Sequence, residues 1–271
     1  MTNFHPTAVV DPTAEIGAGA EVGPYCVIGA KVRLGKDVKL TSHVVVDPLT
    51  TIGDGTVVHP FCSLGLPPQH LRYKGEPSRL EIGKNNIIRE HVTIHRGTEQ
   101  GGLLTSIGDN CYLMVGSHVA HDCIIENNVI LTNGVALGGH VHIGEFAIVG
   151  GQCGVQQFVR IGKHAMIGGK TGVDRDIIPY GAAQGNRAYL TGLNLIGLKR
   201  RGFSRGDIQI LRAAYGLLFS QEGTMADRLN EVADIYAAQS GVMDIVNFIR
   251  SDSSRPLCAP STATNGNGSG A

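Results

Sequence analysis

The chain has 271 residues, and its 23 basic side chains balance 23 acidic ones. No overall field draws in nucleic acid, so any anion binding must come from a local cluster. Gly reaches 38 without recurring at every third position, which excludes collagen, and a hydrophobic content of 42% excludes disorder for most of the chain. The start of the chain carries neither a basic leader nor an apolar stretch, and no apolar run is long enough for a membrane span. The reading is a soluble cytoplasmic protein without stable membrane insertion.

From the beginning, an aliphatic residue recurs every six positions, commonly with Gly behind it: Ile16-Gly17, Val22-Gly23, Ile28-Gly29, Leu34-Gly35. The frame runs from Val10 to Leu64, resumes through Ile82, Ile88 and Ile94, and returns from Ile107 to Val173; all 25 of its positions are Ile, Leu or Val. Four residues beyond each one the side chain is nearly always small or β-branched. Cys26, Cys62, Cys111, Cys123 and Cys153 fall in that slot, five of the six Cys in the chain. Small buried hydrophobes explain these thiols better than metal ligation or nucleophilic chemistry does. Such a repeat predicts a parallel β-helix with three short strands per coil, coils about 4.8 Å apart and aliphatic residues stacked along the axis. Gly follows the aliphatic residue in 13 of the 25 hexads. The expectation is that these glycines supply corner backbone that a Cβ would oppose.

Two segments leave the frame, 66–80 with its Pro67-Pro68 and Gly75-Glu76-Pro77, and the Gly-rich 97–105. Both are predicted loops on a rigid stack, good places for substrate contacts. The β-helix is therefore assigned to 1–183 and a C-terminal α-helical domain to 184–254. Ser204 is placed to cap a helix carrying Ile208, Leu211, Tyr215 and Leu218 on one face, with further helices near 224–239 and 241–250. Residues 255–271, rich in Ser, Gly, Asn and Thr, read as a disordered tail in which Cys258 is incidental.

The interior of a β-helix is full, so chemistry must lie on outward side chains or loops. The strongest polar cluster is Gly116-Ser117-His118-Val119-Ala120-His121-Asp122-Cys123. Val119 and Cys123 point inward in the frame, which leaves His118, His121 and Asp122 outward or at a corner. One coil later Gly138-Gly139-His140 comes close to His121. A His with a carboxylate neighbour is a general-base arrangement, and a backbone N–H free of a side chain, as at Gly139, is a good oxyanion donor. His-x-x-His with His140 is also a metal-ligand pattern, and solvated surface histidines are the plainer alternative. Lys199-Arg200-Arg201 and Arg205 form a basic run suited to phosphate or an acidic partner protein. Arg72 and Lys74 add positive charge to the first loop. There is no P-loop, dinucleotide fingerprint or nucleophile elbow.

The frame, QHLRYKGEPSRLEIG in the first loop, TIHRGT at 93–98, SHVAHDC at 117–123, GGHVHIGEFAIVGG at 138–151, AQGN at 183–186 and GLKRRGFSR at 197–205 together resemble the UDP-N-acetylglucosamine O-acyltransferase family over residues 1 to about 250. The resemblance implies a left-handed parallel β-helix followed by a helical domain. It implies a homotrimer with sites between subunits, transferring an (R)-3-hydroxyacyl chain from acyl carrier protein to the 3-hydroxyl of a UDP-sugar in lipid A synthesis, with no metal or cofactor. It makes His121 the general base, Asp122 its orienting partner and the Gly139 N–H the oxyanion donor. His118, His140, Gln157, Asn194, Arg200, Arg201, Gln69, His70 and Arg72 become substrate contacts, and Gly169 the acyl-chain ruler, its small size favouring a longer chain. His70, Gln156 and Ile196 depart from the commonest family pattern. Because His70 stands where a carboxylate is frequent, a 3-amino UDP-sugar is a second acceptor to weigh. Two other readings remain at this level, a γ-carbonic-anhydrase-like metalloenzyme and a non-catalytic scaffold.

Overall fold

The computed structural model describes residues 3–261. Strands of mostly two residues stack into three sheets, of eleven, nine and eight strands among the described residues. Pairing is parallel throughout, as in Val27↔Val45 with Ile28↔Val46, until the closing hairpin of Gly181–Gln184 and Tyr189–Leu193. Each strand turns one residue in and the next out. Ile28, Leu40, Ile52, Leu64, Leu113 and Leu131 form part of the buried column along the axis. The five frame Cys are buried beside them, and burial pushes the Cys62 and Cys123 thiols up to about 12. They are protonated and unreactive at neutral pH.

The two loops lengthen their coils while the strands around them stay paired: Leu64 pairs with Ile94 across the first, with a register shift before Leu66, and Ile82 pairs with Ile107 across the second. Except at Gly65 (φ 79), the glycines behind the aliphatic residues have a different cause from the one expected. Gly23 and Gly144 do not have positive φ; a Cβ on Gly144 would lie 2.5 Å from the Lys163 amide nitrogen of the next coil, and one on Gly23 would overlap the carbonyl of Thr41. Close approach of stacked backbones is what excludes a side chain there. The left-handed corner comes two residues later and is largely filled by other residues, including Asp122 (φ 61), His140 (φ 61) and Phe158 (φ 66).

Beyond the hairpin come α1 (Leu195–Arg200), α2 (Arg205–Leu218), α3 (Met225–Ile235) and α4 (Ser240–Arg250). Ser204 caps α2 in a reciprocal capping box with Asp207, and the helix buries Ile208, Leu211, Ala214 and Leu218. Tyr215 is half-buried. The hairpin and α1 have no counterpart in the sequence-based reading. The tail differs too: Leu257 bridges to Asp176, Pro260 bridges to Leu190, and Cys258 is fully buried with its thiol donating to the Ala188 carbonyl at 3.3 Å. Residues 255–261 are thus docked rather than disordered, and 262–271 lie outside the described residues. No helix among the described residues is long and apolar enough to cross a membrane.

Candidate active site

Three corner ladders run up the prism. Asp122, His140 and Phe158 occupy the edge between the nine- and eight-stranded sheets, where the His140 amide donates to the His121 carbonyl at 3.0 Å and the Phe158 amide to the Gly139 carbonyl at 3.0 Å. This edge gathers most of the residues singled out by sequence. The ring of His121 meets that of His140 edge-on with centroids 5.2 Å apart, and that of His70, brought in by the first loop, at 4.9 Å. Gln157 lies one coil above Gly138, its amide nitrogen 2.7 Å from where a Cβ on that glycine would stand.

His121 and Asp122 are side by side in sequence yet tightly bonded in space, Nδ1 to Oδ2 at 2.7 Å. The left-handed φ at Asp122 folds its side chain back under its neighbour. The second loop then clamps the carboxylate: the Thr98 amide donates to Oδ1 at 2.7 Å and the Thr98 hydroxyl to Oδ2 at 2.6 Å, while Gly101 packs against its Cγ. The Asp122 amide donates to the Thr105 hydroxyl at 2.7 Å. Both side chains are therefore on the outer edge of the prism and still buried, at 10% and 1% exposure. Burial opposes ionisation of Asp122, but the bonds from His121 and Thr98 outweigh it and hold the carboxyl below its ordinary value. A carboxylate accepting from Nδ1–H fixes the tautomer and leaves the Nε2 lone pair available to take a proton. Nε2 lies on the Gly139 side, 2.8 Å from where a Cβ on that glycine would stand.

A second layer of histidines lies behind. His118 Nδ1 is 2.7 Å from the Thr93 hydroxyl, and the His118 ring meets that of His95 at 4.8 Å. Thr93, His95 and Thr98 were in the TIHRGT stretch, but no role attached to them from sequence. The signal that could have found them is register, because Thr93 pairs with His118 one coil on.

Burial drives the His95 ring down to about 4, helped by His118 and His121, and burial takes His164 to about 4 as well, with Arg201 and Lys163 adding to it. Burial also lowers His118, and lowers His140 against the opposing pull of Asp122. The unfolded chain protonates His95 and His164 near 6.5 and the folded one near 4, so between those values the unfolded state binds more protons and folding stability falls as pH falls. Asp122 adds to the same trend in a lower window: with its carboxyl held below the ordinary value, its contribution is present above 3.8 and is lost only below it. A urea midpoint followed from pH 7 down to about 4 is expected to decline through that window. His95→Leu should flatten the slope.

The remaining expected site residues are elsewhere on the chain. Asn194 caps α1, accepting from the Gly197 amide at 3.0 Å and donating to the His164 carbonyl at 2.9 Å. Arg201 donates to the Phe146 carbonyl at 2.9 Å, and Arg200 is exposed beside it. These belong to the ladder of Phe146, His164 and Tyr180, on the edge between the eight- and eleven-stranded sheets. Gly169 lies beside Lys170 and above Gly151 on the third edge. Gln69 and Arg72 are exposed on the loop that carries His70. Arg255, absent from the sequence-based reading, reaches from the docked tail to donate to the Gln157 carbonyl at 2.9 Å.

His121, Asp122 and His140 also offer ligand atoms within 4.8 Å of one another. Both Asp122 oxygens already accept hydrogen bonds, including the one from His121 itself. The donor set is organised as a hydrogen-bonded acid–base pair, and the metalloenzyme alternative has no support from it.

Comparison with known proteins points the same way. A family profile described as UDP-N-acetylglucosamine O-acyltransferase, domain 2, matches residues 176–258, and one described as bacterial transferase hexapeptide (six repeats) matches 104–139. The acyl-[acyl-carrier-protein]–UDP-N-acetylglucosamine O-acyltransferase of Caulobacter vibrioides is 54% identical over 258 residues, covering 95% of this chain and 98% of that one. The crystal structure of the UDP-N-acetylglucosamine O-acyltransferase of Moraxella catarrhalis superposes with a TM-score of 0.91 at 40% identity, over 94% of this chain and 98% of that one. The UDP-N-acetylglucosamine acyltransferase of Francisella novicida gives 0.93 at 35% identity, over 96% and 95%.

Proposed function

The chain belongs to the UDP-N-acetylglucosamine O-acyltransferase family, and from that premise we propose that it transfers an (R)-3-hydroxyacyl chain from acyl carrier protein to the 3-hydroxyl of UDP-N-acetylglucosamine, opening lipid A synthesis in the cytoplasm. The observation that carries the chemistry is the His121–Asp122 pair facing the Gly139 peptide. His121 Nε2 removes the proton from the sugar 3-hydroxyl as its oxygen attacks the thioester carbonyl. The negative charge that develops on the carbonyl oxygen is met by the Gly139 N–H. Collapse forms the ester C–O bond and breaks the C–S bond, and the departing thiolate takes its proton from the His121 imidazolium. Asp122, kept ionised, stabilises that imidazolium.

We propose a homotrimer, and the placement of the expected contacts supports it. His121, Asn194 with Arg201, and Gly169 occupy three different prism edges of one chain. A single site containing all of them needs edges from neighbouring subunits. Arg200, Arg201 and Lys199 then supply charge for the diphosphate or the acidic carrier, Gln69, Arg72, His118, His140 and Gln157 line the acceptor and acyl path, and Gly169 leaves room for a longer chain.

His70 stands against the base at 4.9 Å with its Nδ1 buried and unpartnered. That nitrogen is able to accept a proton-bearing group from the sugar, an amine as readily as a hydroxyl, which makes the 3-amino UDP-sugar the second acceptor to assay. Acyl transfer from a panel of 3-hydroxyacyl carrier proteins to both sugar nucleotides is the test. The expected result is turnover with the 3-hydroxyl sugar, faster with longer chains than with short ones. Clear preference for the amine would move the assignment to the second acceptor, and no transfer to either would sink it.

A further inference from the structure

We propose that Cys123 is a positioning residue for the oxyanion donor, holding the peptide between Gly138 and Gly139 through a hydrogen bond from its buried thiol. The inference rests on the reading of Gly139 N–H given above. Cys123 Sγ lies 3.2 Å from the Gly138 carbonyl oxygen. That carbonyl and the Gly139 N–H are two ends of one peptide unit, so a donor on the oxygen polarises the amide and strengthens its N–H as a donor in turn. The unit also needs restraint. It joins two glycines and so has no side chain of its own to fix it. On either side the Gly138 amide donates to the Val155 carbonyl at 2.8 Å and the Gly139 carbonyl accepts from Phe158 at 3.0 Å. The thiol pins what lies between them. Because Cys123 is fully buried, its pinning hydrogen is kept out of competition with water.

The same bond recurs along the stack, which supplies both a control and a rescue. Cys111 donates to the Glu126 carbonyl at 3.1 Å, and Thr56, in the same slot of an earlier coil, donates its hydroxyl to the Gly83 carbonyl at 3.0 Å. Neither acceptor peptide is beside His121. A purely structural role predicts that loss of the donor costs the same at both cysteines. A positioning role predicts an effect on turnover at one alone.

The experiment measures kcat, both KM values and thermal midpoints for Cys123→Val, Cys123→Thr and Cys111→Val, with His121→Ala alongside. Removing an oxyanion donor outright costs about 10²–10³ in kcat, and weakening one is expected to cost less. Cys123→Val should lose about 10-fold in kcat with each KM within about twofold. Cys123→Thr should recover most of that loss, and Cys111→Val should keep its kcat despite a similar thermal shift. Should the valine variant not fold, Cys123→Ala carries the same comparison. Wild-type kcat in the donor-less variant, or an equal loss at Cys111, would overturn the inference. If His121→Ala is inactive while Cys123→Val is unaffected, only this inference fails; if His121→Ala turns over normally, the reading of the site fails with it.

Discussion

His121→Ala is expected to lower kcat by about 10²–10⁴, the usual contribution of a positioned general base, while leaving the fold and substrate binding in place. The loss follows from geometry: Nδ1 is committed to Asp122 at 2.7 Å, so Nε2 is the ring nitrogen left for the substrate proton. The fold survives because His121 stands on the outer edge of the prism and not in the aliphatic column. Its departure leaves the Asp122 carboxylate still accepting from the Thr98 amide and hydroxyl, so it is not stranded. Steady-state kinetics, size-exclusion and sugar-nucleotide binding on one preparation separate the alternatives. An acyltransferase loses turnover and keeps its assembly and affinity. A metalloenzyme would lose bound metal, and a scaffold would lose nothing.

The repeat was legible because side-chain periodicity and backbone geometry are locked together: Val119 and Leu137 pair in register, and every aliphatic position carries its coil with it. The same frame turned His118, His121 and Asp122 away from the axis and set His140 near His121. What it did not carry was burial. An outward position on the prism is normally wet, and Asp122 is dry because Thr98, Gly101 and Thr105 fold over it. Those contacts come from a loop outside the period. The glycines misled in a related way, since composition records the absence of a Cβ without saying whether backbone torsion or a neighbouring coil demands it; at Gly144 it is the neighbouring coil. The tail failed for a third reason. Its bulk composition resembles disorder, but docking is made by a few local contacts: Pro256 and Cys258 bond the Asp176 backbone, Ala259 bonds that of Leu190, and the Cys258 thiol is buried against Ala188. A place for Asn194 and Arg201 at the site rests on resemblance alone, because within one chain they stand on a different edge of the prism from His121.

The glycine distinction leads to the second large effect, which contrasts one substitution at two places. A Cβ added at Gly139 would stand 2.5 Å from Cε1 and 2.8 Å from Nε2 of His121, and its closest neighbours are all atoms of that ring. Its φ is not positive, so an alanine backbone is acceptable there. The ring must swing away, and in doing so it breaks its 2.7 Å bond to Asp122 and moves off the proposed oxyanion donor. Gly139→Ala should therefore lose about 10³-fold or more in kcat, since base and donor fall out of alignment together, with a thermal midpoint close to that of the parent. At Gly144 the added Cβ would instead meet backbone: the Lys163 amide nitrogen at 2.5 Å and the Gly162 carbonyl carbon at 2.9 Å. Backbone of a stacked coil cannot rotate out of the way. Gly144→Ala should pry two coils apart and cost several kcal/mol of stability, the scale of overpacking in a close-packed interior, while molecules that remain folded keep their turnover. Kinetics and calorimetry on the two variants should divide accordingly. A Gly139→Ala enzyme that unfolds early, or that turns over like the parent, would show that His121 and Gly139 do not share the reacting centre.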